Sequence, residues 1–570
     1  YWGTSDQRRQ DISGQGAYTH LTVLAESPEG LRNLYRLQAD SYSQGFYRKP
    51  RTDIETLAAH SEGLICLTGC PGSATSTLLR LEQAERAREV CGTLNDVFPG
   101  RLWVELMYHG ASWEAEVVKK QIEELAQPLN LPMVVTNDAH YVSSEDASVH
   151  AALLCVQTGS TLANPTFSFD GSGYYLKSRS EMASIDLPLE GLANTLAIAE
   201  RVQAYDEVFA HTLRMPSLGP DDAQRLRTET YLGLDSRVGQ SEPHRLRADY
   251  ELETIISMGY PGYFLVLARL IERAKNEGIR IGPGRGSAGG SLVAYALNIT
   301  DLDPIAHGLL FERFLNPSRI SLPDVDVDVD ESKRPRFLEI IREEFGEDYV
   351  AQIGTFGTIG AKAALKDANR VQGSTYSVGE SLTRNLPPPK FGRQPTLADY
   401  RGPENDTVSL ARGLEGTIRN EGIHAAGVII SPEPLTDLLP LRHPKGTESF
   451  ITGFTDKEVE ALGFTKFDFL GLRNLGIIDD TLSMVQNRTG ISPELPTLPR
   501  ACDNPRTYRL LGDGETLGVF QLDSPGMRGL LRSLRPTEFG DISAVLALYR
   551  PGPMDAGAHT EYAKRKRSGA

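Results

Sequence analysis

Residues 322–330 read LPDVDVDVD, so Asp324, Asp326, Asp328 and Asp330 recur at every second position with valine between them. In a β-strand successive side chains point to opposite faces, which puts four carboxylates on one face and Val325, Val327 and Val329 on the other. Neighbouring acids on that face lie about 7 Å apart, and such a row repels itself unless something positive sits beside it. Hard cations choose carboxylate oxygens, so the pattern points to Mg²⁺. A pair of ions about 3.5–4 Å apart could clamp the attacking and leaving oxygens of a phosphoryl transfer. The outer two acids, roughly 20 Å apart along a strand, cannot both serve one such centre. The plainer alternative is an edge strand that uses charge against aggregation, a purpose that four acids of one sign overshoot.

Two further stretches carry chemistry. GPGRGSAGGS at 282–291 holds five glycines, which let backbone N–H groups approach a phosphate, and a helix starting near Ser291 is expected to offer its positive end. The loop contains G-x-G-x-x-G as Gly284, Gly286 and Gly289. A dinucleotide fold would need a second strand ending in an acid about 20 residues later; Asp303 has that distance, yet SLVAYALNITDLDP, which contains it, reads as one short helix and no strand. Arg285 and Ser287 suit triphosphate oxygens instead; a plain glycine-rich turn is the alternative. In TKFDFLGLR at 465–473, Lys466 and Asp468 share one strand face, with Phe467 and Phe469 on the other. The pair reads either as an ordinary ion pair or as a third carboxylate ligand beside a phosphate-binding lysine.

The elements that must position these groups follow from periodicity. Up to about residue 200, apolar strands (GLICLTGC, LPMVVTNDAHYV) alternate with helical stretches (TLLRLEQAERAREVCGTL, EAEVVKKQIEELAQPL), which predicts an α/β unit with a mainly parallel sheet. VHAALLCVQTG is a further helix. RLRADYELETIISMGYPGYFLVLARLIERAKNEG is a long helical segment leading into the glycine loop, and PRFLEIIREEFG is an amphipathic helix. Residues 383–407 are rich in Pro and polar side chains and read as a mobile loop or insertion. HAAGVIIS returns to strand character, and residues from about 474 onward read as mostly helical.

With 570 residues the chain exceeds one hydrophobic core, and about three or four domains are expected. Its net charge of −16 argues against a general polyanion binder but leaves room for a local basic groove. Five scattered cysteines suit a reducing cytoplasm better than a disulfide framework. No apolar run reaches the length of a membrane span. The chain begins at Tyr1 and ends after AKRKRSGA, and it is expected to be a piece truncated at both ends.

These blocks, in this order, resemble the family of bacterial replicative polymerases typified by the DNA polymerase III alpha subunit (family C). The resemblance rests on GPGRGSAGGSLVAYALNITDLDPI, FERFLNPSRISLPDVDVD, IGTFGTIGAKAALKD, HAAGVIIS, TKFDFLGLR, GVFQLDSPGM and ALYRPGP, and the opening segment resembles that family's PHP domain. It implies an α/β multidomain fold: a PHP-type domain over 1–193, a polymerase-beta-like nucleotidyltransferase palm over 194–355 and 424–473, a thumb insertion over 356–423, and helical fingers over 474–570. It implies DNA-templated DNA synthesis with two Mg²⁺ ions held by Asp324, Asp326 and Asp468 as catalytic acids. Asp328 matches a frequent family acid and Asp330 departs from the commoner pattern; both are read as field-shaping or structural. Gly286, Ser287 and Arg285 are implied to bind triphosphate, with Lys466, Arg313, Arg319 and Arg550 as further nucleotide contacts.

Residues 362–393 carry six basic against two acidic side chains, and by the resemblance this stretch, with Lys362, Lys366 and Arg370, tracks duplex DNA; a solvated charged face is the alternative. The implied partners are primer-template DNA, dNTPs, a sliding clamp and other replisome subunits, with no membrane. In the PHP part the resemblance gives His20, Cys70, Asp138 and His140 as metal ligands (Zn²⁺ or Mn²⁺ in a full-length parent). The set is incomplete, because a His-x-His pair would lie before Tyr1, so no proofreading is expected of this piece. Glu105 and His109 fit by type, but the resemblance gives them no ligand role. Two rival readings remain at this stage: a metal-dependent phosphoesterase working through the PHP-like half, and a non-catalytic piece that only binds primer-template.

Overall fold

The structure, a computed structural model, describes residues 1–3, 18–318, 322–389, 393–443, 449–491 and 504–568. Arg319 and Lys390 lie outside the described residues. The chain divides into two compact units, one of Tyr1–Tyr376 with Asn405–Leu472 and the other of Ser377–Glu404 with Arg473–Ala570.

The first unit holds two sheets. The N-terminal one has four strands in sequence order, β1 (Thr22–Ala25), β2 (Leu64–Leu67), β3 (Leu102–Leu106) and β4 (Met133–Val135). β1 pairs antiparallel with β2, and the other two pairings are parallel. Every residue of β2 and β3 is buried, as expected of strands covered on both faces, and the one charged residue among them is Glu105. The stretch expected as one helix over residues 77–94 is two, Ala74–Arg80 and Ala84–Val97, with Glu82 in the left-handed region at φ +58° between them. The break folds Leu78 and Leu79 back beside Ala87 and Cys91 in one apolar cluster, which a straight helix would spread along its length.

The second sheet has six strands, β5 (Asp326–Asp330), β6 (Val350–Thr358), β7 (Ile418–Ile430), β8 (Leu441–Arg442), β9 (Phe450–Thr452) and β10 (Lys466–Leu472), in the order β5-β10-β7-β6-β9-β8. β10 runs parallel to β5 on one side and antiparallel to β7 on the other. The alternation read in LPDVDVDVD is real: Val325, Val327 and Val329 are 1%, 4% and 0% exposed. They share a core with Phe467, Phe469, Tyr263 and Phe337. Tyr263 stacks on Phe467 at 4.8 Å between centroids, and Phe337 meets Phe469 edge-on at the same distance.

The long helical segment over 245–278 is also broken. Its two helices, Glu242–Ser257 and Pro261–Asn276, bend by 112° at a turn where Pro261 opens the second one. The second helix is buried along most of its length in the core beneath the sheet. Among the described residues no single helix is long and apolar enough to cross a membrane.

In the second unit the described part of 473–568 is mostly helical, as expected, and Met527, Leu531, Leu534 and Val545 share an apolar cluster. Within the 383–407 segment, read as a mobile loop or insertion, Leu397–Asp399 forms a 3₁₀ turn and the Arg401 N–H bonds the Asn385 carbonyl at 3.1 Å.

Phe469→Ala removes the side chain that packs the acidic strand's far face, at a cost of about 3–5 kcal/mol. Amide exchange in β5 and β10 is expected to speed up while that of β2 and β3 stays as it was; unchanged exchange in β5 and β10 contradicts this packing account.

Candidate active site

β5 and β10 are neighbours although about 140 residues of sequence separate them. Their parallel register sets Asp468 directly beside Asp326. Paired residues on neighbouring strands share a face, so the register carries both carboxylates to the side opposite the valines and phenylalanines. Asp324, two residues before β5, completes the group. One carboxylate oxygen from each of Asp324, Asp326 and Asp468 lies within 4.8 Å of the other two, and among the described residues this is the one cluster with metal-ligand geometry. Asp324 is exposed, Asp326 half-buried and Asp468 buried.

The electrostatics show what the cluster lacks. Asp324 is exposed as a residue, but partial desolvation of its carboxyl raises its pKa; Lys466 opposes the rise, and the charges of Asp468 and Asp326 add to it. Burial likewise raises Asp326, with Arg285 opposing and Asp468 and Asp328 adding. The ammonium of Lys466 lies 2.9 Å from Asp468 Oδ2. Burial works against the lysine's charge, but the hydrogen bond and charge of Asp468 outweigh it and raise its pKa. The other oxygen, Asp468 Oδ1, is buried with no hydrogen-bond partner. An orphaned carboxylate oxygen facing two more carboxylates fits a hard divalent cation, and an all-oxygen donor set is the one Mg²⁺ takes.

The outer acids have other duties. Asp328 sits 3.6 Å from the Arg285 guanidinium, and burial raises its pKa against that cation. Asp330 is 2% exposed, and its Oδ1 accepts the N–H and hydroxyl of Ser332 at 3.0 and 2.9 Å, capping the turn after the strand.

The glycine loop reaches the acids along the free edge of β5. The Asp330 N–H bonds the Arg280 carbonyl at 3.1 Å, and the Gly282 N–H bonds the Asp328 carbonyl at 2.8 Å. Gly282 has to be glycine, since a Cβ there would meet the Asp328 Cβ at 2.8 Å. Arg285 and Gly286 follow; Gly286 has φ +61°, and the nearest atom to a Cβ built on it is Asp326 Oδ2 at 3.7 Å. Ser287 is exposed on the 3₁₀ turn Gly286–Gly290.

The expectation of a phosphate at the next helix is overturned. That helix is only Leu292–Ala296, and its positive end is filled by the buried carboxylate of Glu251, whose Oε2 accepts the Ser291 hydroxyl and the Val293 N–H at 3.0 Å each. Arg247 closes the charge balance at 2.7 Å from Glu251 Oε1. Sequence reasoning missed Glu251, an acid inside the apolar stripe of its helix. It also missed Tyr263, whose hydroxyl accepts the Val325 N–H at 3.0 Å, and Arg334, whose Nε donates to the Phe469 carbonyl at 2.8 Å.

The remaining candidates lie on other elements. Arg313 is exposed on the 3₁₀ turn Phe311–Arg313, and Arg550 is exposed in the second unit at the N-cap of the helix Pro551–Asp555. Lys362, Lys366 and Arg370 all lie on the helix Ala361–Val371. Lys362 is exposed, and Lys366 lies over the Tyr376 ring at 5.5 Å. Arg370 is turned to the Val156 and Ser160 carbonyls at 3.4 and 3.3 Å, at the end of the helix Ala147–Thr158, so its guanidinium anchors two helices rather than facing a ligand.

In the N-terminal sheet the four expected ligands form two pairs. His20 Nδ1 is 3.1 Å from Cys70 Sγ, and His140 Nε2 is 3.3 Å from Asp138 Oδ2. Burial pushes the Cys70 thiol up to about 11. His109 is used internally: Nδ1 contacts Glu114 at 2.9 Å and Nε2 accepts the Asp138 N–H at 3.2 Å. Glu105 is 2% exposed with Oε1 on the Thr136 hydroxyl at 2.7 Å.

Comparison with known proteins agrees with this architecture. Residues 5–109 match the PHP domain, 224–471 the bacterial DNA polymerase III alpha NTPase domain, and 474–570 the bacterial DNA polymerase III alpha subunit finger domain. The chain is 47% identical to the DNA polymerase III subunit alpha of Mycobacterium tuberculosis, over 99% of this chain and 50% of that protein. It is 39% identical to the subunit of the same name from Thermus aquaticus, over 96% of this chain and 51% of that protein. For Escherichia coli the identity is 38%, over 96% and 50%. The chain thus spans about half the length of these curated relatives. With all three family matches in one chain order and near-complete coverage of its own length, the chain belongs to the family of the bacterial DNA polymerase III alpha subunit.

Proposed function

We propose that this chain carries the catalytic centre of a DNA-templated DNA polymerase, which transfers a nucleotidyl group from a dNTP to a primer 3′-hydroxyl and releases pyrophosphate during bacterial DNA replication. The observation that carries the reading is the convergence of Asp324, Asp326 and Asp468 around an unpartnered carboxylate oxygen. Two Mg²⁺ ions held by these acids would make the 3′-hydroxyl a better nucleophile and offset the charge of the triphosphate.

The chain's own residues supply the rest. Lys466 holds the Asp468 carboxylate in place by an ion pair at 2.9 Å. Arg285 and Gly286 border the acids and, with Ser287, are the proposed triphosphate contacts, with Lys466, Arg313, Arg319 and Arg550 as further phosphate contacts. Lys362 and Lys366 are proposed to follow the DNA backbone, and Arg370 is left out because it is spent on the helix contact. The proposed division is a PHP domain over 1–193, a palm over 194–355 and 424–473, a thumb over 356–423 and fingers over 474–570. Primer-template DNA, a sliding clamp and replisome subunits are the partners implied by the family. His20, Cys70, Asp138 and His140 are proposed as part of a Zn²⁺ or Mn²⁺ site that needs further ligands.

Primer extension with Mg²⁺ and four dNTPs tests the central reading. Asp468→Asn is expected to lower the rate by roughly a hundredfold or more, because an amide cannot replace a carboxylate at a charge-stabilising position. Full synthesis by Asp468→Asn would move the chemistry elsewhere, and loss of phosphoesterase activity on Asp138→Asn would then place it in the N-terminal half. Gly286→Ala forces a side chain into left-handed backbone beside Asp326, at about 1–2 kcal/mol, and is expected to weaken dNTP use; wild-type kinetics rule out a close approach of that backbone to the nucleotide. Lys362→Ala should reduce the slope of log affinity for DNA against log salt by about 1, whereas Arg370→Ala should leave that slope alone and lower stability; the opposite pattern reverses the two assignments.

A further inference from the structure

The glycine loop is held from behind as well as along β5. Behind it lies the turn at residues 298–303, in which Asn298 takes φ +58°. The Asp301 N–H donates to the Pro283 carbonyl at 2.8 Å. Thr300, 1% exposed, lies so close to Gly284 that a Cβ there would meet its side chain at 2.8 Å. Gly284 itself has φ +105°, so the loop cannot relieve that contact by taking another residue. Wherever the turn goes, Pro283 and Gly284 go with it, and Arg285 and Gly286 are the next two residues.

Cations from two helices fix the turn. Arg237, near the end of the helix Asp222–Val238, donates through Nη1 to the Tyr295 carbonyl and to the Thr300 carbonyl, the latter at 3.0 Å. Its Nη2 lies 3.3 Å from Asp301 Oδ1, and its guanidinium covers the Tyr295 ring at 3.9 Å. Lys275, near the end of Pro261–Asn276, donates to the Asn298 carbonyl at 3.1 Å and lies 4.0 Å from Asp301 Oδ1. Burial lowers the pKa of Lys275, with Asp301 opposing and Arg237 adding to the fall.

We propose that Arg237 and Lys275 are positioning residues for the nucleotide: by fixing the turn at 298–301 they set where Arg285 and Gly286 stand over the acids. Neither cation is on the glycine loop, and neither contacts Asp324, Asp326 or Asp468 among the described contacts. The inference rests on the reading of the loop as the triphosphate site. It goes beyond that reading by assigning the loop's placement to two side chains of the helical layer.

The test is steady-state primer extension by the full chain, with KM for dNTP and kcat taken separately for Arg237→Met and Lys275→Met. Lys275 borders a cavity of about 640 Å³, so the shorter variant leaves no packed core to collapse. Each change is expected to raise KM roughly tenfold and to leave kcat within about twofold, the size of coupling that travels through such a network. Hydrogen exchange should quicken at Gly284 and Gly286 and hold steady in β5 and β10. An unchanged KM in both variants overturns the proposal. So does a fall in kcat with faster exchange throughout the six-stranded sheet, which would make the two cations merely structural. Asp326→Asn, run alongside, separates the two levels of the argument: if it retains synthesis the polymerase reading fails, and if it abolishes synthesis a null result at Arg237 and Lys275 counts against the positioning claim alone.

Discussion

The parallel pairing of β10 with β5 is the constraint on which the site depends. It sets Asp468 beside Asp326 on one face and closes Phe467, Phe469 and the three valines into a core on the other. Because side chains alternate with period two, a slip of one residue would drive an aspartate into that core and expose a phenylalanine. Burial of each large apolar side chain contributes about 1.5–3 kcal/mol, and several act together here. The repulsion among the acids is thus offset by packing on the opposite side of the same strands. A carboxylate with an unpartnered oxygen can stay in place before any cation arrives.

Around that pairing the charges are sorted by position. Lys466 reaches Asp468 from the strand itself, and Arg285 reaches Asp328 from the loop. Neither cation removes the burial that raises Asp324 and Asp326, so room for further positive charge remains where those two meet Asp468. Asp330 is withdrawn into a turn. The loop is held at both ends, by the edge of β5 at Gly282 and by Glu251 at Ser291. The same device, an ionisable side chain holding backbone donors or carbonyls, recurs at buried Glu251 and at half-buried Arg237 and Arg334.

Much of this was legible in the residues themselves. Strict alternation named the acidic strand and its buried face, and Lys466-Phe467-Asp468-Phe469 named its partner, because a strand's period is local. The register between them was not legible, because it joins segments about 140 residues apart; the resemblance to a family implied only that Asp324, Asp326 and Asp468 serve one site. The glycines marked a loop that must approach something closely, yet the phosphate expected at the helix after Ser291 meets Glu251 instead, since a side chain from another helix leaves no trace in local spacing. Arg370 looked like Lys362 in a charge count and differs by direction alone. The helix break at Glu82 has no glycine or proline to announce it; packing of Leu78 against Cys91 decides it.

The most direct measurement of the central claim is Mn²⁺ binding followed by electron paramagnetic resonance, with primer-template and dNTP present, in a His140→Ala, Asp138→Asn background that removes the proposed N-terminal ligands. Convergence of the three carboxylates predicts that the Mn²⁺ still bound there is lost on adding Asp326→Asn or Asp468→Asn but retained on adding Asp330→Asn, whose carboxylate caps a turn. Equal Mn²⁺ binding in that background with and without Asp326→Asn and Asp468→Asn would contradict the account.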